Sequence, residues 1–593
     1  MLDPRIYRTG LIIAALALVV LAFSLRDQQG PLSPTLAPDA FNGQNAYSAM
    51  QTLAGQDPSR RPGSAGDDAL ASQVSATFGS DGFTPTTSTF SARTVDGTRT
   101  LENVVGVKPG VKSGSIVIVA ARDALDSPGL ASLSGTATLM ELASDLNGET
   151  INHTVVLAST SGSNGTGGAI QLARTLAQPI DAVIVLGDLA GSHIRQPVVI
   201  PWSARQTVAP PVLRNTVASA LAAQTPFTAQ GVGLGGQFAH LAFPLTPGQQ
   251  APFNAQGIPA VELSLSGEQG PAANAPTSLA TVTAMGRTVL ETISALDGGS
   301  AVPAPSSYLL LDGKVVPGWA VSLFVLALLV PVALTTVDGV ARARRRGHII
   351  WRSLALILAA AVPFLSALVV VLAARLLGEI GVAPPAPVPA GAVPLHGAGI
   401  TVLILAALAF VASGVAVASA ARRIPGRLAD PRGRAASRPG REGAVVGLLV
   451  VMSAVTFAIW LSNPFAALLV VPALHLWLWA VNPDLRLPLA LRGVLVAAGV
   501  VPAALVVIYY ANGLGYGPVG AVWQAVLLLA GHGVSLVAAV EWCLLLGCLA
   551  GAVTLAVLGA RRPRVAPVPV TVRGPVTYAG PGSLGGTKSA LRR

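Results

Sequence analysis

The sequence predicts an α/β domain followed by an all-α polytopic bundle of membrane-spanning helices. Of its 593 residues, 52% are hydrophobic and only 11% are charged, whereas a soluble globular protein typically carries about 25% charged residues. Between an apolar N-terminal stretch and an apolar second half lies a long region of mixed polarity, in which short β-branched runs alternate with helical patterns. That alternation favours a mainly parallel central sheet flanked by helices.

The apolar stretches are long enough to cross the roughly 30 Å hydrocarbon core of a bilayer. Eight are predicted as spans: residues 11–25, 316–337, 349–376, 398–421, 443–461, 466–481, 491–511 and 535–558. The first follows Arg5 and Arg8 without a small-residue cleavage site directly after it, so we expect an uncleaved anchor rather than a signal peptide. Residues 519–531 are apolar but short, and we interpret them as a re-entrant or interfacial piece; counting them would give nine spans.

The formal net charge of +11 is concentrated beside the apolar stretches. Arginines cluster at 342–346, 422–441 and 561–564, and such clusters mark the cytoplasmic loops of membrane proteins. We therefore expect an integral, multi-pass membrane protein with both termini cytoplasmic, residues 29–305 extracytoplasmic, and no nucleic acid as partner.

Four segments follow from this organisation. They are a cytoplasmic N-terminus with its anchor (1–28), an exported peptidase-like α/β domain (29–305), a transmembrane domain with seven further spans (306–562) and a basic tail expected to be disordered (563–593). Both cysteines, Cys543 and Cys548, fall in the last span, so the exported domain must fold without disulfides.

Within the exported domain, strands are predicted at 102–107, 115–121, 154–159, 182–186 and 260–265. Helices are predicted near 67–78, 136–146, 168–176, 212–223 and 279–296. In folds of this class the ligand site lies beyond the carboxyl ends of the strands. The loops that follow residues 121, 159 and 186 are therefore the places to search for a site.

Four segments of the exported domain occur in a recognisable order. They read RRPGSAGDDALASQVSATFGSDGF, NVVGVKPG, APFNAQGIPAVEL and GPAANAPTSLATVTAMGRTVLETI. Over residues 46–296 they resemble the zinc exopeptidases of metallopeptidase family twenty-eight, which include aminopeptidase Y-type and glutamate-carboxypeptidase-type enzymes. The polytopic C-terminal block is similar to that of the membrane-bound members. The resemblance implies the zinc-exopeptidase fold.

The same resemblance implies a two-zinc site, which this sequence does not match. A ligand histidine falls on Ala121, the bridging aspartate on Ala131, the general base and a ligand glutamate on Gly162 and Ser163, and the last histidine on Gly270. Asp188, a ligand in the family, and Asp123, which orients the histidine there, are kept. Zinc needs several nitrogen and carboxylate ligands, so we expect no metal, no cofactor and no catalytic residue, and hence a pseudoenzyme. An ordinary explanation of Asp188 is a carboxylate that caps its loop.

The remaining cleft is predicted to bind a peptide, an envelope component or a partner protein. Its candidate residues are Arg122, Gly165, Gln250 and Phe253. Two alternatives stay open: an active zinc exopeptidase with relocated ligands, and a transporter or export-complex component. The sequence does not identify the ligand.

Membrane lipids are the expected partners of the bundle. Glu541 lies within the last predicted span, and an ionisable group inside a membrane is a candidate functional residue. His475 and His532 are its candidate polar partners. The alternative is a glutamate at headgroup level that is solvated by water.

Overall fold

A computed structural model describes residues 4–35, 38–127, 129–227, 229–345, 350–423, 441–482, 484–485 and 487–560. The chain begins with helix α1 (Pro4–Phe23) and a short strand β1 (Arg26–Asp27), and then forms an α/β unit. A bundle of apolar helices follows. The basic loop at 424–440 and the tail predicted at 563–593 lie outside the described residues.

A seven-stranded sheet forms the centre of the α/β unit. Its strands are β2 (Thr84–Thr94), β3 (Gly97–Lys108), β4 (Ser115–Ala121), β5 (Thr154–Thr160), β6 (Ala182–Leu186), β7 (Val199–Ile200) and β8 (Ala260–Leu263). Their order is β2-β3-β5-β4-β6-β8-β7. All five predicted strands are present, and β5, β4, β6 and β8 run parallel to one another.

The sheet is mixed rather than mainly parallel. A hairpin of β2 and β3 pairs antiparallel onto β5, and β7 pairs antiparallel with β8. Strand β2 escaped the sequence prediction because its residues are mostly threonine and serine and its side chains are largely exposed. A strand with little buried surface carries no continuous apolar run.

Eight helices belong to this unit. They are α2 (Gly43–Gln56), α3 (Ala65–Ser80), α4 (Ser134–Asp145), α5 (Gly167–Thr175), α6 (Pro211–Gln224), α7 (Leu234–Ala242), α8 (Ala251–Ala255) and α9 (Leu279–Gly298). The five predicted helices correspond to α3, α4, α5, α6 and α9. The sequence analysis did not predict α2, α7 or α8.

Both faces of the sheet are covered. Ile116 and Ile118 of β4 pack into one core with residues of α2, α3, α4, α6 and α9. Val117 and Val119 pack on the other side with Leu172 of α5 and residues of α8. All four β4 side chains are fully buried. Burial on both faces explains why the central strands are almost continuously apolar.

The second half of the chain is helical. Its helices are α10 (Gly318–Arg345), α11 (Ile350–Ala359), α12 (Val362–Leu376), α13 (Gly397–Arg423), α14 (Arg441–Ser462), α15 (Pro464–Val481), α16 (Leu489–Gly513), α17 (Pro518–Gly531) and α18 (Leu536–Ala560). With α1, seven described helices are long and apolar enough to cross a membrane, and the pair α11–α12, bent by 45°, makes eight if it crosses as one span. This agrees with a multi-pass membrane protein. Helix α17 has only 14 residues, which fits the short piece predicted there.

The α/β unit contacts the bundle at several places. Strands β9 (Tyr308–Leu311) and β10 (Lys314–Pro317) form a small antiparallel sheet with β1, directly where the chain leaves α1 and enters α10. The sequence boundary placed at residue 305 precedes this hairpin. In addition, Trp202 and Leu241 of the α/β unit share one apolar cluster with Phe465 of α15 and Val496 of α16. The α/β unit therefore packs directly on the helices.

Candidate functional site

A cavity of about 200 Å³ opens beyond the carboxyl ends of the parallel strands. It lies where strands β4, β6 and β8 end, as expected for this class of fold. Residues from the loops after these strands and after β5 line it, among them Ala121, Asp123, Ser163, Asp188, Gln249, Glu262, Glu268 and Gly270. The sheet thus brings the predicted loops together around one space.

Three of the five positions that correspond to the zinc site line this cavity: Ala121, Ser163 and Gly270. Ala131 is buried at the start of a short turn before α4. Gly162 has φ +80°, and a Cβ there would lie 2.6 Å from the Leu101 side chain. A glutamate at position 162 would therefore be strained and crowded.

Asp123 is held by Ser163. The backbone amide of Ser163 donates to both carboxylate oxygens of Asp123, at 3.0 and 3.1 Å, and the Ser163 hydroxyl donates to Oδ2 at 2.8 Å. Burial, and then repulsion from Asp67, raises the pKa of Asp123 to about 6, against the effect of the Ser163 hydrogen bonds. Ser163, at a position where the family resemblance implies a ligand, thus satisfies the buried carboxylate of Asp123.

Asp188 caps its own loop. Its Oδ1 accepts from the amides of Ala190 at 3.0 Å and Gly191 at 2.8 Å, and its Oδ2 accepts from the Ser266 hydroxyl. Burial raises the pKa of this carboxyl despite these bonds. The capping explanation fits this geometry better than a ligand that awaits a metal.

Zinc does not fit the described residues. No group of three His, Cys, Asp or Glu side chains in the described part of the chain could hold a metal ion. The positions of the α/β unit that the structure leaves undescribed after residue 35 are Leu36, Ala37, Pro128 and Thr228, and none has a metal-binding side chain.

Two glutamates of the cavity wall, Glu262 and Glu268, were not predicted from the sequence. Glu262 interrupts the apolar strand β8, and its carboxylate accepts from the amide of Gln249 at 2.8 Å. Glu268 follows β8 and accepts from the Thr246 hydroxyl at 2.9 Å. The signal for Glu262 was present, because a charged residue inside a four-residue buried strand needs a partner.

These glutamates make the cavity acidic. Burial raises the pKa of Glu262 to about 7, and burial together with the charge of Glu262 raises that of Glu268 to about 8. Asp123, Asp126 and Asp188 also line the cavity. Among the described residues that line it, none is Lys, Arg or His.

His240 links Glu268 to helix α16 of the bundle. The Glu268 Oε2 lies 3.6 Å from His240 Nε2. The His240 ring stacks on Trp202 with centroids 4.3 Å apart, and its nitrogens lie 3.4 and 3.3 Å from the hydroxyls of Tyr509 and Tyr510 on α16. Burial lowers the pKa of His240 to about 3, so this imidazole is neutral.

The four predicted cleft residues lie outside the cavity. Arg122 is fully buried, pairs with Asp67 at 2.8 Å and donates to backbone carbonyls. Phe253 belongs to the core beneath α5, and the buried Gln250 amide donates to the Trp202 carbonyl. The sequence order suggested a loop position for each, but the backbone turns these side chains inward.

Gly165, the fourth predicted cleft residue, also does not line the cavity. With φ +110°, it lies against the segment after α12, where an added Cβ would come within 2.4 Å of Pro384. It belongs to the contact between the α/β unit and the bundle. A tryptophan there would disturb that contact instead of filling the cavity.

Glu541 lies at the start of the last helix. It is the sixth residue of α18, and its neighbour Trp542 packs on Phe243 of the α/β unit at a centroid distance of 5.2 Å. The two candidate partners are engaged elsewhere, since His475 contacts Tyr7 and the Leu328 carbonyl, and His532 contacts Arg375. This position favours the headgroup-level alternative.

Comparison with known proteins gives structural neighbours only. No model of a known protein family matches the chain, and no curated protein matches it. Among solved structures, it is similar to a glutaminyl cyclase of Porphyromonas gingivalis, at 17% identity and a TM-score of 0.32 over 43% of this chain and 98% of that one.

Two aminopeptidases are similar to it in the same way. A leucine aminopeptidase precursor from Bacteroides thetaiotaomicron VPI-5482 has 15% identity and a TM-score of 0.35 over 43% of this chain and 97% of that one. BSAP, a zinc aminopeptidase from Bacillus subtilis, has 11% identity and a TM-score of 0.35 over 43% of this chain and 94% of that one. Each likeness covers less than half of this chain, so the family remains a resemblance.

Proposed function

We propose that the chain is a membrane-anchored, metallopeptidase-like protein without zinc-peptidase activity. Its exported α/β domain binds a peptide, an envelope component or a partner protein in the acidic cavity. The bundle anchors this domain, with both chain termini in the cytoplasm and residues 29–305 outside. The observation that carries the proposal is the pairing of Asp123 with Ser163. The Asp123 carboxylate accepts hydrogen bonds from Ser163, which stands where the family resemblance implies a zinc ligand.

Two further features support binding in place of catalysis. The cavity is open and lined by polar groups at the ends of four strands, yet its two buried aspartates, Asp123 and Asp188, accept hydrogen bonds from within the chain. A metal-dependent hydrolase needs a ligated ion and a carboxylate that accepts a proton from bound water. Here the position of that base is Gly162, whose backbone conformation disfavours any side chain.

The test uses the full chain, purified in detergent. We expect elemental analysis to find no stoichiometric zinc, and aminoacyl reporter substrates to remain intact when zinc is added. One or two zinc ions per chain, with hydrolysis that a chelator abolishes, would overturn the proposal. Asp188→Asn serves as the matched variant, since zinc at the cavity would be lost in it while zinc held elsewhere would stay.

Binding is tested separately. The full chain is used to capture partners from its native membranes, with and without a cavity-filling substitution. Retrieval of the same partner by both proteins would argue against the cavity as the binding site, while loss in the variant alone would support it.

A further inference from the structure

A second depression lies between the α/β unit and the ends of the bundle helices. This groove, of about 460 Å³, runs between the end of α5, the loops at 204–205 and 244–246, helix α8, and the bundle residues 385–387 and Gly533. Residues 385–387 lie between α12 and α13, and Gly533 lies between α17 and α18. The groove is separate from the acidic cavity. Thr246 lies between them, because it lines the groove and donates a hydrogen bond to Glu268 of the cavity wall.

The neighbouring residues indicate where the groove lies relative to the membrane. The apolar run of α18 begins at Leu536, three residues after Gly533. Phe243, which directly precedes the groove residue Pro244, packs on Trp542 near the beginning of that helix. The groove therefore opens at the end of a membrane span, where hydrocarbon gives way to lipid headgroups.

The charge of the groove is positive. Arg174 in the last turn of α5 and Arg205 both line it and are exposed. Neither guanidinium makes a hydrogen bond or an ion pair with a residue that the structure describes, and no acidic residue is among the described residues of the lining. Guanidinium groups match the oxygens of phosphate in a two-point geometry.

More cations surround the same loops. Arg93 donates to the Gly531 carbonyl at 3.4 Å, and Arg375 contacts His532, the residue before Gly533. Positive groups from β2 and α12 thus lie beside the groove. A negative group at this depth would be held by the local field as well as by direct contacts.

The rest of the lining is partly apolar and partly polar. Leu245, Pro252, Pro385 and Pro387 form an apolar wall, and the polar residues Thr166, Thr246 and Gln256 also line the groove. A free inorganic ion would find cations but would gain nothing from the apolar wall. A lipid has both a charged phosphate and an apolar glycerol–acyl portion that can bury such surface.

We propose that this groove binds the headgroup phosphate of an anionic phospholipid from the leaflet next to the α/β unit. Arg174 and Arg205 bind the phosphate oxygens, while the proline- and leucine-lined wall contacts the start of the acyl chains. Such a lipid would fasten the α/β unit to the membrane surface at the side where it meets α12, α17 and α18.

The experiment titrates phosphatidylglycerol and phosphatidylcholine against the full chain in detergent and counts bound lipids by native mass spectrometry. The single variants are Arg174→Gln and Arg205→Gln, followed by the double variant. A basic side chain near a lipid surface contributes about 1 kcal/mol, so we expect roughly 5-fold weaker phosphatidylglycerol binding for each variant and roughly 25-fold for both. Phosphatidylcholine binding should change little.

The matched control is the double variant Lys112→Gln, Arg287→Gln. It removes the same net charge at two positions that do not line the groove, the exposed Lys112 and the partly buried Arg287, which lies 3.8 Å from Asp39, and should bind phosphatidylglycerol as the parent does. Equal losses in both double variants would show a general charge effect and overturn the proposal. Inorganic phosphate or glycerophosphate that displaces the lipid at comparable concentration would also overturn it, because the site would then recognise phosphate alone. Size-exclusion profiles and melting curves confirm that each variant is folded.

Discussion

Ser163 donates two hydrogen bonds to Asp123, one from its amide and one from its hydroxyl. This contact joins the loop after β5 to the loop after β4, across the mouth of the cavity. Ser163 and Asp123 thus form a small structural bridge between the two loops.

Ser163→Ala should destabilise the protein. The substitution removes the hydroxyl that donates to the nearly fully buried Asp123 carboxylate and leaves the amide in place. A hydrogen bond to a charged group contributes about 1.5–3 kcal/mol, and the remaining amide bond offsets part of that loss, so we expect a cost of about 1–2 kcal/mol. The measurement is the melting temperature of the detergent-solubilised chain.

Ser192→Ala is the control for this change, because Ser192 is exposed in the loop after β6. It should melt close to the parent. If Ser163→Ala were equally harmless, the bridge would contribute nothing to stability, and the loops would have to be held by other contacts.

Glu268→Gln should stabilise the protein at alkaline pH. The folded pKa of Glu268 is raised to about 8 by burial, from 4.5 in the unfolded chain. The stability that this group contributes is fully present below pH 4.5 and is lost as the pH rises towards 8. A neutral glutamine of the same shape avoids that loss. The variant should therefore melt above the parent at pH about 8 and close to it at pH about 5.

The quantity to compare is the difference in melting temperature between Glu268→Gln and the parent protein at each pH. His240 acts in the opposite sense, because burial lowers its pKa from 6.5 to about 3, and its contribution is lost as the pH falls through that window. At pH about 8 this window is not reached in either protein, so the comparison there reports Glu268, whereas at pH about 5 the two residues, 3.6 Å apart, act together. The control variant Glu149→Gln, at an exposed position, should melt close to the parent at both pH values. A Glu268→Gln protein that melts below the parent at alkaline pH would mean that the ionised carboxylate is stabilised there.

The sequence predicted the central strands better than the walls of the cavity. Strands Ser115–Ala121 and Ala182–Leu186 match their predicted bounds because both of their faces are buried, and burial on both faces leaves a continuous apolar run. Strand Thr84–Thr94 shows the converse. Its stability comes from pairing with β3, a long-range contact that leaves little trace in local composition.

The sequence indicated where the candidate residues lie along the chain, but not which of their side chains line the cavity. The motif order placed Asp123 and Asp188 correctly at strand ends beside the cavity. It could not show that Arg122, one residue earlier, would turn into the interior to pair with Asp67. Side-chain direction depends on the twist and register of the sheet, which a motif does not encode. Glu262 was missed although its charge interrupts an apolar strand. Glu268 was missed because nothing in the local sequence indicates that it lines the cavity.

Thiol labelling tests the orientation of the bundle. In a variant without Cys543 and Cys548, a cysteine at the exposed Ala390, between α12 and α13, should react with a membrane-impermeant reagent in intact cells. Cysteines at positions 435 and 580, which lie outside the described residues, should react only after lysis. The expectation follows from the arginine clusters beside these positions. Reaction of position 580 in intact cells would mean that α17 crosses the membrane and that the chain has nine spans.

Filling the cavity should abolish binding without unfolding the protein. Ala273 lines the cavity from the loop after Gly270 and is partly exposed, so Ala273→Trp would occupy the space with a stability cost within about 1 kcal/mol, as for other surface changes. The neighbouring Ala272 is exposed and is not among the residues that line the cavity, which makes Ala272→Trp the matched control. We expect Ala273→Trp to lose the partner captured from native membranes, or the cellular phenotype, while Ala272→Trp keeps it. Should both variants bind as the parent does, the cavity would have no role in recognition, and the groove beside Arg174 and Arg205 would become the first surface to test.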